Sequence, residues 1–146
     1  MTTSALILSL KMDEGFRGTA YQDTEGLWTI GYGHHDNHIH AGVIWTQAFA
    51  TNQLLQDVAN TEMGMDRSPA LSWWQQVNDP RQDVLVNMAF NLGVAKLATF
   101  TTFLPLVKSG QYAQAADDML TTDWAKEVGA RAHRLASQMR TGELQA

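Results

Sequence analysis

The sequence predicts an α+β fold, with a small antiparallel sheet lobe joined by a long helix to a mostly helical lobe. Three observations predict it. Glycines at 15, 18, 26, 31, 33 and 42 punctuate short aromatic and β-branched pieces between Phe16 and Ile44, the texture of a small sheet. After Thr46, the apolar residues Ala50, Leu54, Leu55, Val58 and Ala59 recur on one helical face. Beyond Arg67-Ser68-Pro69 every patterned stretch is helical. A chain of 146 residues suits one domain. Its parts are a sheet lobe over about 14–45, a connecting helix over about 46–65, and a helical lobe over about 69–146 that includes the N-terminal helix.

The elements follow in order. Thr3 can cap a helix from about Ser4 to Asp13, with Leu6, Ile7 and Leu10 on one side and Gly15 as its stop. The strands lie between Phe16 and Ile44, and Thr46 opens the connecting helix. Asp79-Pro80-Arg81-Gln82 reads as a helix start, with Asp79 as cap, Pro80 at the first helical position and Gln82 at N3. Val84, Leu85, Met88, Ala89 and Leu92 carry that helix to Gly93. Shorter helices are expected around 101–108, 111–120 and 130–140. No internal repeat or flexible linker interrupts the chain.

Charge and composition exclude several function classes. Ten Lys and Arg against fifteen Asp and Glu give a net charge of −5, which argues against nucleic acid as a partner. The acidity is local: residues 1–73 hold the whole net charge, and residues 74–146 balance to zero. Cysteine is absent, so disulfides, a thiol nucleophile and a thiolate zinc site are excluded. The apolar run Ala5–Leu10 is too short to span a membrane. No basic residue precedes it, so it lacks the order of a signal peptide.

The chemistry concentrates in Asp13-Glu14-Gly15-Phe16-Arg17 and in the stretch from Tyr21 to His34. Glu14 falls where the first helix ends, Asp23 in the turn between two strands and Thr29 on the second strand. Two carboxylates on different elements can flank a glycosidic bond while a hydroxyl orients water. Spacing alone is a weak signal; the surrounding residues make it specific. Asp23-Thr24-Glu25-Gly26 and Thr29-Ile30-Gly31-Tyr32-Gly33-His34 closely resemble the signature of the phage-type lysozymes, the endolysins of glycoside hydrolase family 24. Asn87-Met88-Ala89-Phe90-Asn91-Leu92-Gly93 is similar to that family's core helix, and Trp124 to its late tryptophan. Arg131-Ala132-His133-Arg134 and Arg140-Thr141-Gly142-Glu143 are similar to its closing helix, so the resemblance covers essentially the full chain.

The resemblance implies a two-lobed, lysozyme-like domain with Glu14 as general acid, Asp23 as the carboxylate near the anomeric carbon and Thr29 as the residue that places water. It implies an inverting outcome, no metal and no cofactor. Arg131 matches an arginine that pairs with the acidic Glu in relatives, and His34 with Asp57 matches a supporting salt bridge. Family matching also points to His35, Phe90, Phe103 and Asp118 as lining the cleft. The implied activity is hydrolysis of the β-1,4 link between N-acetylmuramic acid and N-acetylglucosamine, with bacterial peptidoglycan as the partner. A monomer is expected, without membrane insertion, made in the host cytoplasm and reaching the periplasm and wall through holin lesions. Lys126, Arg131, Arg134 and Arg140 outweigh Glu127 near the C-terminal end, and attraction to an anionic wall is expected from that patch.

Three other readings are open to the residues. A wall-degrading part of a phage tail would use the same chemistry. A module that grips glycan without cutting has no chemical need of Glu14, Asp23 and Thr29 together. A zinc peptidase could draw on His38 and His40, but no His has an Asp four residues later to complete the ligand pattern.

Overall fold

Thr3 starts helix α1 (Ser4–Glu14) by accepting the Leu6 N–H on its hydroxyl at 3.0 Å, and Gly15 ends it. These positions come from a computed structural model, which describes residues 3–145. Leu6 and Leu10 form the buried side of α1. The chain then makes an antiparallel hairpin of β1 (Arg17–Gln22) and β2 (Trp28–Gly31). Tyr21 pairs with Thr29 and Gln22 with Trp28, while a bulge between Arg17 and Tyr21 shifts the register. A third extended piece joins the other side of β1. The Ala20 N–H donates to Val43 O at 2.9 Å, and the Trp45 N–H donates to Gly18 O at 2.8 Å.

Helix α2 (Gln47–Arg67) follows, its start capped by the Thr46 hydroxyl, which accepts from the Phe49 N–H at 3.1 Å. The chain divides into two compact units after Asn60, inside α2. Helix α1 and the hairpin fall in the first unit, whereas the sequence reading grouped α1 with the helical lobe. Ile30, Tyr32, Ile39, Leu54 and Val58 are buried there along with the α1 leucines.

The second unit is helical. A single 3-10 turn (Trp74–Gln76) precedes α3 (Asp79–Leu92) and α4 (Val94–Leu97). Then come α5 (Phe103–Lys108), α6 (Tyr112–Met119), α7 (Asp123–Val128) and α8 (Ala130–Thr141). Helix α6 packs on α5 and α8, and α3 packs on α8. Trp74, Leu85, Met88, Leu97, Phe103 and Met119 are fully buried. The start of α3 corrects the sequence expectation. Asn78 is the cap, accepting from the Arg81 N–H at 3.2 Å, and Gln82 instead donates to the carbonyls of Gln75 and Val77. Asn caps as well as Asp does, so the local sequence leaves the choice open by one residue.

Arg81 ties α3 to the end of α8. Its Nε donates to Met139 O at 2.7 Å and its Nη2 to Arg140 O at 3.1 Å, while the guanidinium lies 3.5 Å over the Tyr112 ring. Asn78 Nδ2 donates to Gly142 O at 3.1 Å beside it. The expected basic patch is partly balanced: Arg140 is ion-paired with Asp117, and Lys126 lies 4.0 Å from Asp123. Among the described residues no helix is long and apolar enough to cross a membrane.

Candidate active site

Helix α1 delivers Glu14 as its last residue, where the Gly15 N–H closes the helix on Lys11 O at 3.0 Å. Glu14 is partly exposed, and its carboxylate rests against Gly33. A methyl group on Gly33 would stand 3.2 Å from Glu14 Oε2, and the backbone there has φ +79°. Only glycine gives both that backbone and that clearance without strain.

The hairpin supplies Asp23 and Thr29. The Asp23 N–H donates to Leu27 O at 2.9 Å and the Gly26 N–H to Asp23 O at 3.0 Å, which closes the turn. Asp23 Oδ1 braces it from within, accepting the N–H of Glu25 at 2.9 Å and of Leu27 at 2.8 Å. One carboxylate oxygen is therefore occupied by the turn. Thr29 faces Tyr21 across the ladder, and directly opposed residues share a face. Asp23 follows β1 directly, at the head of the turn that leads to β2. Thr29 is buried, and its hydroxyl donates to Leu27 O at 2.9 Å. Its remaining lone pairs can only accept.

Behind this hairpin His34 returns to the sheet. It exchanges backbone hydrogen bonds with Ile30, at 2.8 Å from the Ile30 N–H and 2.9 Å from its own. Its Nδ1 meets Asp57 Oδ2 of α2 at 2.7 Å, bringing that sequence-expected pair together, and the ring lies tilted on Trp45 at 5.4 Å. The sequence reading missed a third member, Asp36, whose Oδ2 lies 2.6 Å from His34 Nε2. Burial works against the charged imidazole, but the hydrogen bonds to Asp36 and Asp57 outweigh it and raise the His34 pKa above its ordinary value. The bond to His34 and the His38 N–H hold the Asp36 carboxyl below its ordinary value.

A raised histidine pKa stabilises the fold fully at pH below the ordinary histidine value and loses that contribution as pH rises through the folded value. Asp57→Asn is therefore expected to lower the thermal midpoint most in mildly acidic buffer. The cost there is about 1–2 kcal/mol, shrinking toward alkaline pH. Calorimetric scans across pH check this; an equal loss at every pH would contradict it.

The remaining expected residues are spread over both units. His35 is exposed on the loop after His34. Phe90 on α3 and Asp118 on α6 are half-buried. Phe103 is 0% exposed and stands edge-on to Phe100 at 6.4 Å, so it serves the helical core and offers no face to a sugar, contrary to expectation. Arg131 Nε donates to Asn87 Oδ1 at 3.0 Å, and Trp124 Nε1 donates to Asn91 Oδ1 at 2.8 Å. Among the described residues no three His, Asp or Glu side chains are grouped to hold a metal. Asp36 braces the His38 N–H, and the His40 ring donates to Ala41 O at 3.0 Å.

Comparison with known proteins identifies the family. The family model described as phage lysozyme matches residues 11–141. The chain is 28% identical to a probable T4-type lysozyme 1 of Dictyostelium discoideum over 94% of each protein. It is 30% identical to an endolysin of Acyrthosiphon pisum secondary endosymbiont phage 1, over 86% of this chain and 82% of the relative. It is 31% identical to the pre-baseplate central spike protein Gp5 of Enterobacteria phage T4 over 93% of this chain, which spans 28% of that longer protein.

Proposed function

Because the chain belongs to the phage lysozyme family, we propose that it is an endolysin that cuts the β-1,4 bond between N-acetylmuramic acid and N-acetylglucosamine in bacterial peptidoglycan. The observation that carries this reading is the seating of Glu14 on Gly33, directly after the hairpin whose turn holds Asp23 and whose second strand holds Thr29.

The chain's own groups suggest the steps. Glu14 gives its proton to the glycosidic oxygen as the bond to the anomeric carbon breaks. Positive charge then develops on that carbon, and the Asp23 oxygen not engaged by the turn stabilises it. The attacking water donates one hydrogen to the Thr29 hydroxyl oxygen, whose own proton is committed to Leu27 O. That bond aims the water's lone pair at the anomeric carbon. Asp23 takes the water's other proton and releases it to solvent, from which Glu14 is reprotonated. Attack from the face opposite the leaving group inverts the configuration, so the first product detected by NMR is the α-anomer. Phe90, Asp118 and His35 are proposed to contact the glycan, and Arg131 with Asn87 to support the site.

No cofactor enters this scheme, and neither an oligomer nor nucleic acid is required. Release to the wall through holin lesions completes the proposal. The likeness to a spike protein supports a second reading, in which the same enzyme travels in the virion. Mass spectrometry of purified particles separates the two. Purified peptidoglycan tests the chemistry itself. New reducing ends are expected; new free amines would mean a peptidase, and binding without either would mean a glycan-gripping module.

A further inference from the structure

Asp36 has no part in the steps above. Both ring nitrogens of His34 face carboxylates, Nδ1 toward Asp57 and Nε2 toward Asp36. A neutral imidazole has one N–H and can donate to only one of them, so the two bonds coexist only in the doubly protonated ring. His38, on the same loop, is a further titratable group beside the clamp and acts electrostatically on Asp36. Trp45 packs against the ring, and the Gln53 amide donates to Asp57 Oδ1 at 2.9 Å. The charges acting on His34 are Asp57 from α2 and Asp36 from its own loop. Asp36 is itself anchored, since its Oδ1 takes the His38 N–H at 2.7 Å and its carbonyl takes the Ile39 N–H at 3.2 Å.

The clamp reaches the reacting groups through very little structure. His34 and Ile30 close a turn that contains only Gly31, Tyr32 and Gly33. Thr29 precedes the turn, and the Glu14 carboxylate rests on Gly33 at its far end. If His34 swings, the surface under Glu14 moves with it. Asp57 holds the ring at one nitrogen while Trp45 packs against its face, and Asp36 supplies the second polar restraint.

We propose that Asp36 is a positioning residue for glycan cleavage: by holding Nε2 of His34 while Asp57 holds Nδ1, it fixes the Ile30–His34 turn and the Gly33 surface on which Glu14 sits. The proposal rests on the muramidase reading. It links cleavage to the protonation of a ring remote from the sugar, because loss of either ring proton removes one of the two restraints.

The test follows cleavage of purified peptidoglycan from about pH 5 to about pH 9, the range in which histidines titrate, with the wild type, Asp36→Asn and Asp36→Glu. NMR of the His34 ring nitrogens is recorded on the same samples. In Asp36→Asn the His34 titration and the alkaline limb of kcat are expected to move together to lower pH, with KM unchanged. Asp36→Glu restores both. The proposal is overturned if the titration moves while the rate profile stays in place. It is also overturned if the rate falls by one factor at every pH in step with thermal stability. A wild type that releases no reducing ends at any pH refutes the muramidase reading, and this proposal with it.

Discussion

Glu14→Gln is expected to abolish cleavage, with a loss of at least about a hundredfold in reducing-end release, the lower range for removing a general acid. The amide keeps the size of the carboxyl group and can still lie against Gly33, but it has no proton to give the leaving oxygen. Helix α1 itself should be kept, because it is capped by Thr3 and ended by Gly15, and neither uses the Glu14 side chain in those bonds. A native far-UV circular dichroism spectrum of the variant is expected to accompany the loss. A Glu14→Gln protein that still cleaves glycan at near the wild-type rate would remove Glu14 from the mechanism. Asp23→Asn makes a useful contrast, since an amide oxygen can still accept the Glu25 and Leu27 N–H groups that brace the turn. Turnover is lost there with the hairpin intact.

The largest stability effect is expected far from this hairpin, at Gly142. The residue has φ +69° at the end of α8, and a methyl group on it would stand 2.7 Å from Arg81 Nη1 and 2.9 Å from Asn78 Nδ2. Gly142→Ala therefore brings left-handed backbone strain of about 1–2 kcal/mol. It also pushes away the guanidinium that donates to Met139 O and Arg140 O and stacks on Tyr112. The sum is about 3 kcal/mol, a fall in thermal midpoint on the order of 10 °C for a chain of this size. Arg81→Ala loses the clamp and brings no backbone strain of its own. With the clash relieved, adding Gly142→Ala to Arg81→Ala should cost much less than it does in the wild type. Strictly additive midpoint shifts would show that the two residues do not act on one another.

The parts legible in the sequence are those decided by neighbours along the chain. Thr3 and Gly15 bound α1 through contacts three or four residues apart, and Asp23 braces its own turn. Thr46 opens α2 in the same way. The features that escaped are decided by partners remote in sequence or by very short periods. The choice of Asn78 over Asp79 as cap goes with its amide reaching Gly142 O. Helix α7 has six residues and a Thr122 cap, too short to display a helical repeat. The sequence gives no sign whether Phe103 turns inward or toward a cleft, since both places accept a phenyl ring. The histidine-rich loop reads as solvated surface, and only the return of His34 to the sheet brings the Asp36 carboxylate onto its ring.

The compactness of the hairpin region along the chain bears on how the protein folds. Glu14, Asp23, Thr29, Gly33 and His34 lie within residues 14–34, and the contacts that arrange them span short loops. Short loops cost little closure entropy, and hairpins form in about 1–10 μs. Other long-range ties lie elsewhere, such as that from Arg81 to Met139 in the helical unit. The hairpin geometry is thus a local, early-forming pattern, with the helix carrying Asp57 as a more distant tether. A chain emerging from the ribosome can shape the hairpin that carries Asp23 and Thr29 before its last third has been synthesised.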